Sequence, residues 1–325
     1  MDNRKKEKLG KYRICVAKKF YAHKIKHLKN AKLKAAFMKK FIWPEGSTIN
    51  IGFMNQPSKD IERRTAEQIK LDSPNLKLDP LQKEVDKMPI IEAIKRIVDE
   101  RLAPIVNLNF VYVDDINSAD IRVDFDETDG CWSYIGIDCK NPKYKGESTI
   151  NFAWFDVATT IHEFCHALGM IHEHQNPKNN LIDWNLDSVY MWAQKTQGWD
   201  KDTTNLNIIE PAQMQEINGS DYDPYSIMLY FYPPELTKDN KGTNENLRIS
   251  AQDVIFLNKT YPNSQETPAE FYRNVYNEDI NDVLKKEGKA LLTNDKKSSI
   301  PPFLYISVSI IILVIIILIF FLYNK

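Results

Sequence analysis

Apolar and polar positions change period several times along the chain, and each change marks an element. After the apolar Phe41-Ile42-Trp43, Thr48–Met54 reads as a strand. Ile90, Ile94, Ile97 and Val98, joined by Ile91 and Leu102, recur at helical spacing as far as Pro104. Asp86 is a candidate cap for that helix, with Pro89 in its first turn, where a missing N–H costs nothing. Two β-rich runs follow, Asn109–Val113 and Ala119–Phe125. In the second, Ile121, Val123 and Phe125 alternate with Arg122 and Asp124, the pattern of a strand with one buried face. The stretch 130–144 predicts a loop with a short strand, and Thr149–Trp154 a further strand. Phe155–Leu168 predicts a helix stopped by Gly169. A last helix is signalled at Ser250, with Asp253 three residues on as its capping-box partner and Pro262 beyond its end. Residues 56–87 and 175–249 carry weak periodicity. Residues 263–300 are charged and read as a linker holding one helix.

The two ends break this pattern. Phe303–Tyr323 is an uncharged, almost wholly apolar run of 21 residues after Pro301 and Pro302. As a helix that length crosses a hydrocarbon layer of about 30 Å, and Phe303, Tyr305 and Tyr323 fall where aromatic rings favour the interface. The sequence therefore predicts a single-pass, C-terminal transmembrane tail anchor over residues 301–325. Lys296 and Lys297 precede the run and Lys325 follows it; with no signal peptide at Met1, the bulk of the chain is expected on the cytosolic side. At the other end, residues 1–40 hold 15 Lys or Arg against Asp2 and Glu7. The net charge of −1 is thus a cancellation between a basic arm of +13 and a body of −14. Such an arm suits nucleic acid or anionic lipid as partner, or is simply a solvated terminus.

Composition narrows the class. At 43% hydrophobic and 27% charged over 325 residues, the chain is neither disordered nor fibrous. Its four cysteines exclude a disulfide-stapled miniprotein. The organisation expected is a basic arm (1–40), a catalytic domain (41–263), a charged linker (264–300) and the anchor (301–325).

One segment carries chemistry: His162-Glu-Phe-Cys-His166-Ala-Leu-Gly169-Met-Ile-His172, or HExxHxxGxxH. His162 and His166 stand one helical turn apart on one face, so both imidazoles can share one Zn2+. Glu163 follows the first ligand and reaches a water on the metal, as a general base must. Gly169 lets the chain leave the helix in a left-handed turn that brings His172 round as third ligand. Three protein ligands leave one position open, as in catalytic rather than structural zinc. At these residue frequencies the five fixed positions would coincide in roughly a few chains per million, which excludes accident. His174 is read as a nearby histidine and not as a ligand.

The motif resembles that of the metzincin zinc endopeptidases. Ser226-Ile-Met228-Leu-Tyr230, behind Asp221-Tyr-Asp-Pro-Tyr, resembles the Met-turn of the astacin-like branch, SxMHY, with Leu229 in place of the usual His. Ala119-Asp-Ile-Arg-Val-Asp-Phe125, Cys131-Trp-Ser-Tyr-Ile-Gly136, His172-Glu-His-Gln-Asn-Pro177, Ile182-Asp-Trp and Leu257-Asn-Lys-Thr-Tyr-Pro262 resemble further astacin-like segments. The resemblance runs from about Lys40 to Pro262. It implies an α+β fold, a metzincin-type domain with a twisted, mostly parallel sheet and an active-site helix above a less regular C-terminal half. It implies Met228 beneath the zinc and Tyr230 as a catalytic residue that stabilises the transition state. It also implies a substrate strand alongside Ala119–Phe125, if that strand is an edge rather than interior. Glu173 matches a glutamate that meets the cut N-terminus in mature astacins. Astacins commonly carry two disulfides; here Cys131 and Cys139 could pair but are expected as free thiols, Cys165 as a small buried residue, and Cys15 as an ordinary cysteine rather than a cap on the zinc.

The expected function is a membrane-anchored zinc endopeptidase acting on protein or peptide substrates, with Glu163 and Tyr230 catalytic and His162, His166 and His172 on the metal. Two rivals are a membrane-tethered binding protein that uses the basic arm for nucleic acid or a partner, with the zinc domain as scaffold, and a hydrolase of non-protein amides such as peptidoglycan cross-links.

Overall fold

The structure is a computed structural model that describes residues 41–178, 182–211, 221–262 and 264–292. The basic arm with Cys15, and the Phe303–Tyr323 run, lie outside the described residues. Among the described residues, no helix is long and apolar enough to cross a membrane.

The elements run β1 (Thr48–Phe53), β2 (Glu62–Arg63), α1 (Ala66–Asp72), α2 (Leu81–Val85), α3 (Ile90–Ile97), β3 (Asn109–Tyr112), β4 (Ile121–Asp124), β5 (Trp132–Ser133), β6 (Ile150–Asn151), β7 (Trp154–Phe155), α4 (Val157–Ala167), α5 (Leu186–Gln197), α6 (Lys201–Thr204), α7 (Ala251–Thr260) and α8 (Pro268–Tyr276). The main sheet has the order β3-β1-β4-β6-β5, parallel except for β5 against β6. Ile49 and Ile51 of β1 and Ile121 and Val123 of β4 are fully buried, and their β-branched side chains line one covered face of the sheet. β2 and β7 form a small parallel pair of their own. Helices α3 and α4 pack together, and α4 also packs on β5. The mostly parallel sheet and the active-site helix are therefore as expected.

β4 differs from the substrate-edge expectation for Ala119–Phe125. It pairs with β1 on one side and β6 on the other, so it is interior. The edge beside α4 belongs to β5. Two side chains hold this two-residue edge in place. All five N–H groups of Arg122 are donated to main-chain carbonyls, those of Ala119, Asp120, Cys139, Tyr144 and Glu147, which fixes the loop after β5. Asn151 donates to the carbonyls of Asp126 and Gly130 and accepts from Asp126 N, which fixes the loop before it. Gly136, just past the edge strand, sits at φ +51°, where a Cβ would lie 1.7 Å from the Phe41 carbonyl oxygen.

Other expectations shift for local reasons. α3 starts directly after Pro89, and Asp86 does not cap it. The Asp86 carboxylate instead accepts from Ala66 N at 3.0 Å and Gln82 Nε2 at 2.8 Å. The Thr149–Trp154 run divides into β6 and β7, which belong to different sheets. α4 begins at Val157 rather than Phe155 because the Asp156 side chain accepts from Thr159 N at 2.6 Å, a standard N-cap.

The charged stretch expected as linker from residue 264 is instead partly built into the domain. Thr267 and Glu270 form a capping box, Pro268 takes the first helical position, and Phe271 and Tyr272 are buried. Tyr272 Oη donates to Ile249 O at 3.0 Å, and Tyr276 Oη to Asp79 at 3.0 Å. The chain divides into two compact units, the first ending at Ile280 and the second starting at Asn281. A short helix, Ile280–Lys286, follows α8 in the sequence.

Candidate active site

The site is assembled by three segments that meet through backbone atoms. α4 carries His162 and His166 one turn apart, and with His172 they are buried. Gly169 ends the helix at φ +99°. Its N–H donates to His166 O at 2.8 Å and Met170 N donates to Cys165 O at 3.0 Å, so the chain doubles back at once. The last carbonyls of α4 find partners elsewhere in the fold. Trp43 Nε1 donates to Ala167 O at 2.8 Å and Tyr261 Oη to Leu168 O at 2.6 Å.

Each ring on α4 is fixed by a carbonyl. His166 Nδ1 donates to Met170 O at 2.8 Å, within the turn that Gly169 makes possible. His162 Nδ1 donates to Ile227 O at 2.8 Å, across 65 residues of sequence. Both rings must therefore carry the proton on Nδ1, leaving each Nε2 a lone pair. Burial pushes His162 down to about 4 and pushes His166 and His172 well below the ordinary histidine value, so all three rings are neutral at pH 7.

One ring nitrogen from each of His162, His166 and His172 lies within 4.8 Å of the other two, and this is the grouping that the described residues offer to a metal ion. His166 Nε2 and His172 Nε2 are 2.9 Å apart. His162 Nε2 is buried with no hydrogen-bond partner. A buried nitrogen lone pair facing two more imidazoles fits one Zn2+, which takes neutral imidazole and leaves a fourth position for water or substrate.

Glu163, on the same helix, is fully buried. Met228 is likewise fully buried in the tight turn that follows Ser226, closed by Leu229 N donating to Ser226 O at 3.1 Å. Leu229, the departure from SxMHY, is buried as well. Tyr230 Oη is in hydrogen-bond contact with His172 Nε2, and its ring lies over the His172 ring at 4.2 Å between centroids. The three histidines and Tyr230 are thus brought together, with Glu163 buried on the helix that carries His162 and His166.

His174 stays out of the metal grouping: its Nε2 meets Asn207 O at 2.9 Å. Glu173 Oε1 accepts from Asp223 N at 2.7 Å and Asn176 Nδ2 at 2.8 Å, and burial pushes the carboxyl up to about 8. Cys131, Cys139 and Cys165 are free buried thiols. Sequence reasoning missed the carbonyls of Ile227 and Met170, since every residue has one and no residue type marks it.

Comparison with known proteins finds a family model, two curated relatives and a solved structure similar to this chain. The model of the astacin peptidase family matches residues 90–261, just over half of the chain. Zinc metalloproteinase nas-17 of Caenorhabditis elegans is 25% identical over 180 residues, covering 51% of this chain and 37% of that protein. Zinc metalloproteinase dpy-31 of Teladorsagia circumcincta is 27% identical over 169 residues, covering 47% of this chain and 25% of that protein. The chain thus spans well under half the length of these curated relatives. Among solved structures, one of myroilysin superposes with a TM-score of 0.56 at 28% identity, covering 70% of this chain and 98% of that one. With the three-histidine grouping, the buried glutamate and the methionine turn in place, this chain belongs to the astacin family of peptidases.

Proposed function

We propose that the chain is a zinc-dependent endopeptidase, with His162, His166 and His172 as ligands. The convergence of three neutral imidazoles, with Glu163 beside the first of them, carries this reading. Zinc held there supplies Lewis acidity, lowering the pKa of a water towards about 7 and polarising the scissile carbonyl. Glu163 takes the proton of the attacking water as general base and returns it to the leaving nitrogen. Tyr230 Oη, next to His172, turns to donate a hydrogen bond to the developing oxyanion. A peptide substrate binds extended along β5, the edge strand that packs on α4, through main-chain hydrogen bonds.

The test uses the full chain and Glu163→Gln, with zinc content and cleavage of a peptide library and of peptidoglycan measured side by side. Zinc on both proteins, with peptide cleavage by the wild type alone and its loss on chelation, is the expected result. Cleavage of peptidoglycan only would move the substrate class to non-protein amides, and equal peptide cleavage by Glu163→Gln would remove the base from its role. The rival nucleic-acid or partner-binding reading rests on residues 1–40, outside the described residues, and no structural observation favours it.

We also propose that Phe303–Tyr323 holds the domain at a membrane, on the support of its length and lack of charge. Full-length protein should stay with the lipid pellet after alkaline carbonate extraction. Release into the supernatant would sink the idea.

A further inference from the structure

The last helix of the expected catalytic domain, α7, is hydrogen-bonded to the turn whose Ile227 carbonyl meets His162. Ser250 and Asp253 form the capping box of α7. In such a box the third-position carboxylate serves only the cap residue's own N–H. Asp253 does more. Its Oδ2 accepts from Ser250 N at 3.1 Å and also from Ile227 N at 2.7 Å. Its Oδ1 accepts from Ser226 Oγ at 2.7 Å. Ser226 Oγ in turn accepts from Met228 N at 3.0 Å.

These bonds fall on two successive peptide planes. The Ser226–Ile227 plane is held by Asp253 through Ile227 N. The Ile227–Met228 plane is held by Ser226 Oγ through Met228 N, and its other end is the Ile227 carbonyl, which accepts from His162 Nδ1. Asp253, Ser226 and His162 are all buried, so water does not replace any of these contacts. The carbonyl that decides which nitrogen of His162 carries the proton is therefore oriented from α7, 91 residues further along the chain than the ring it controls.

We propose that Asp253, acting through Ser226, is a positioning residue for His162: it fixes the peptide that selects the metal-binding tautomer and ring orientation. The proposal rests on the reading of His162 as a zinc ligand. Without Asp253 the Ile227–Met228 plane is free to turn. The His162 Nδ1–H then loses its acceptor, and the tautomer with the proton on Nε2, which cannot hold the metal, becomes populated. Outer partners of metal-bound histidines act in this way, at a typical cost of about tenfold to a hundredfold in metal affinity when they are lost.

The test is zinc affinity of the full chain, by competition between Zn2+ and a chelator, on four variants. Asp253→Ala and Ser226→Ala should each bind zinc about tenfold more weakly or worse. Asp253→Asn keeps an oxygen towards Ile227 N and should stay within about threefold of the wild type. Ser250→Ala removes the cap hydroxyl but touches neither peptide plane. It should lower the urea midpoint while leaving zinc affinity within about twofold, since a lost cap is a stability effect. Zinc affinity unchanged in Ser226→Ala, or weakened as much by Ser250→Ala, overturns the proposal, and Ser226→Ala decides it even where Asp253→Ala does not fold. A second readout needs no metal: 15N NMR of the zinc-free protein should show His162 protonated on Nδ1 in the wild type and a tautomer mixture in Ser226→Ala. A wild type that binds no zinc overturns the metal-site reading instead, and the tautomer comparison still separates the two failures.

Discussion

Tyr230 is placed so that one side chain can serve two moments of the proposed reaction. Its hydroxyl rests on His172 Nε2 within a stack of buried rings, and the His174 ring lies 5.2 Å from its own. Removing the hydroxyl keeps the ring, the packing and the three imidazoles. Tyr230→Phe is therefore expected to lower kcat by about a hundredfold, the typical loss of one oxyanion donor, while KM and zinc affinity stay within a few-fold. Steady-state kinetics with a matched zinc titration checks this, and an equal loss in zinc affinity would make Tyr230 a structural residue. The tyrosine and the histidines were legible because chemistry restricts their type. Asp253 was legible only as a helix cap. Its second task depends on which loop lies against that helix, and no spacing in the sequence records this.

Among the elements, α8 shows where charge misleads. Its segment is rich in ionisable residues, and reading them as a solvated linker ignores Phe271, Tyr272 and Tyr276 on one helical face. Its Tyr276 joins a buried ion pair in which Arg101 donates to Asp79 through Nε and Nη2, at 2.8 to 3.0 Å. The side chains of Asp79 and Arg101 are 0% and 7% exposed, so neither charge is solvated if the other is lost. Arg101→Ala should destabilise the domain by about 3–5 kcal/mol, the usual result of leaving one buried charge unpaired. Urea denaturation of the two proteins measures this. A loss below about 1 kcal/mol would place the pair among those that water reaches.

At the scale of the whole molecule, contacts distant in sequence contribute to stability in acid. Lys77, from the loop before α2, and Arg248, just before α7, both pair with Glu278 beyond α8. Burial opposes the Glu278 charge, but the hydrogen bonds from Arg248 and Lys77 outweigh it and hold the carboxyl down to about 2. A carboxyl whose folded value lies below its unfolded value, about 4.3, stabilises fully above that pH. The contribution is then lost as pH falls through about 2. Glu278→Gln should therefore lower the urea midpoint at pH 7 and narrow its gap from the wild type as pH approaches 2. A gap independent of pH would show that the group's charge contributes nothing. The effect is modest, because the pair is partly solvated and salt screens it.

The sequence alone determined the histidine grouping offered to a metal, the turn at Met228, the stop of α4 at Gly169, the cap of α7 at Ser250 and most of the strands. Each of these rests on local rules: helical spacing, residue chemistry, capping, the left-handed turn at Gly169. Tertiary structure decided which strand is the edge, since Ala119–Phe125 and the short β5 differ in their neighbours and not in any local pattern. It also decided where the folded unit extends past Pro262, through α8, whose Tyr272 and Tyr276 hydroxyls meet oxygens of Ile249 and Asp79. Finally it decided the proton positions on His162 and His166. Those follow from main-chain carbonyls, which are present at every residue and become specific only when the fold brings one to a ring nitrogen.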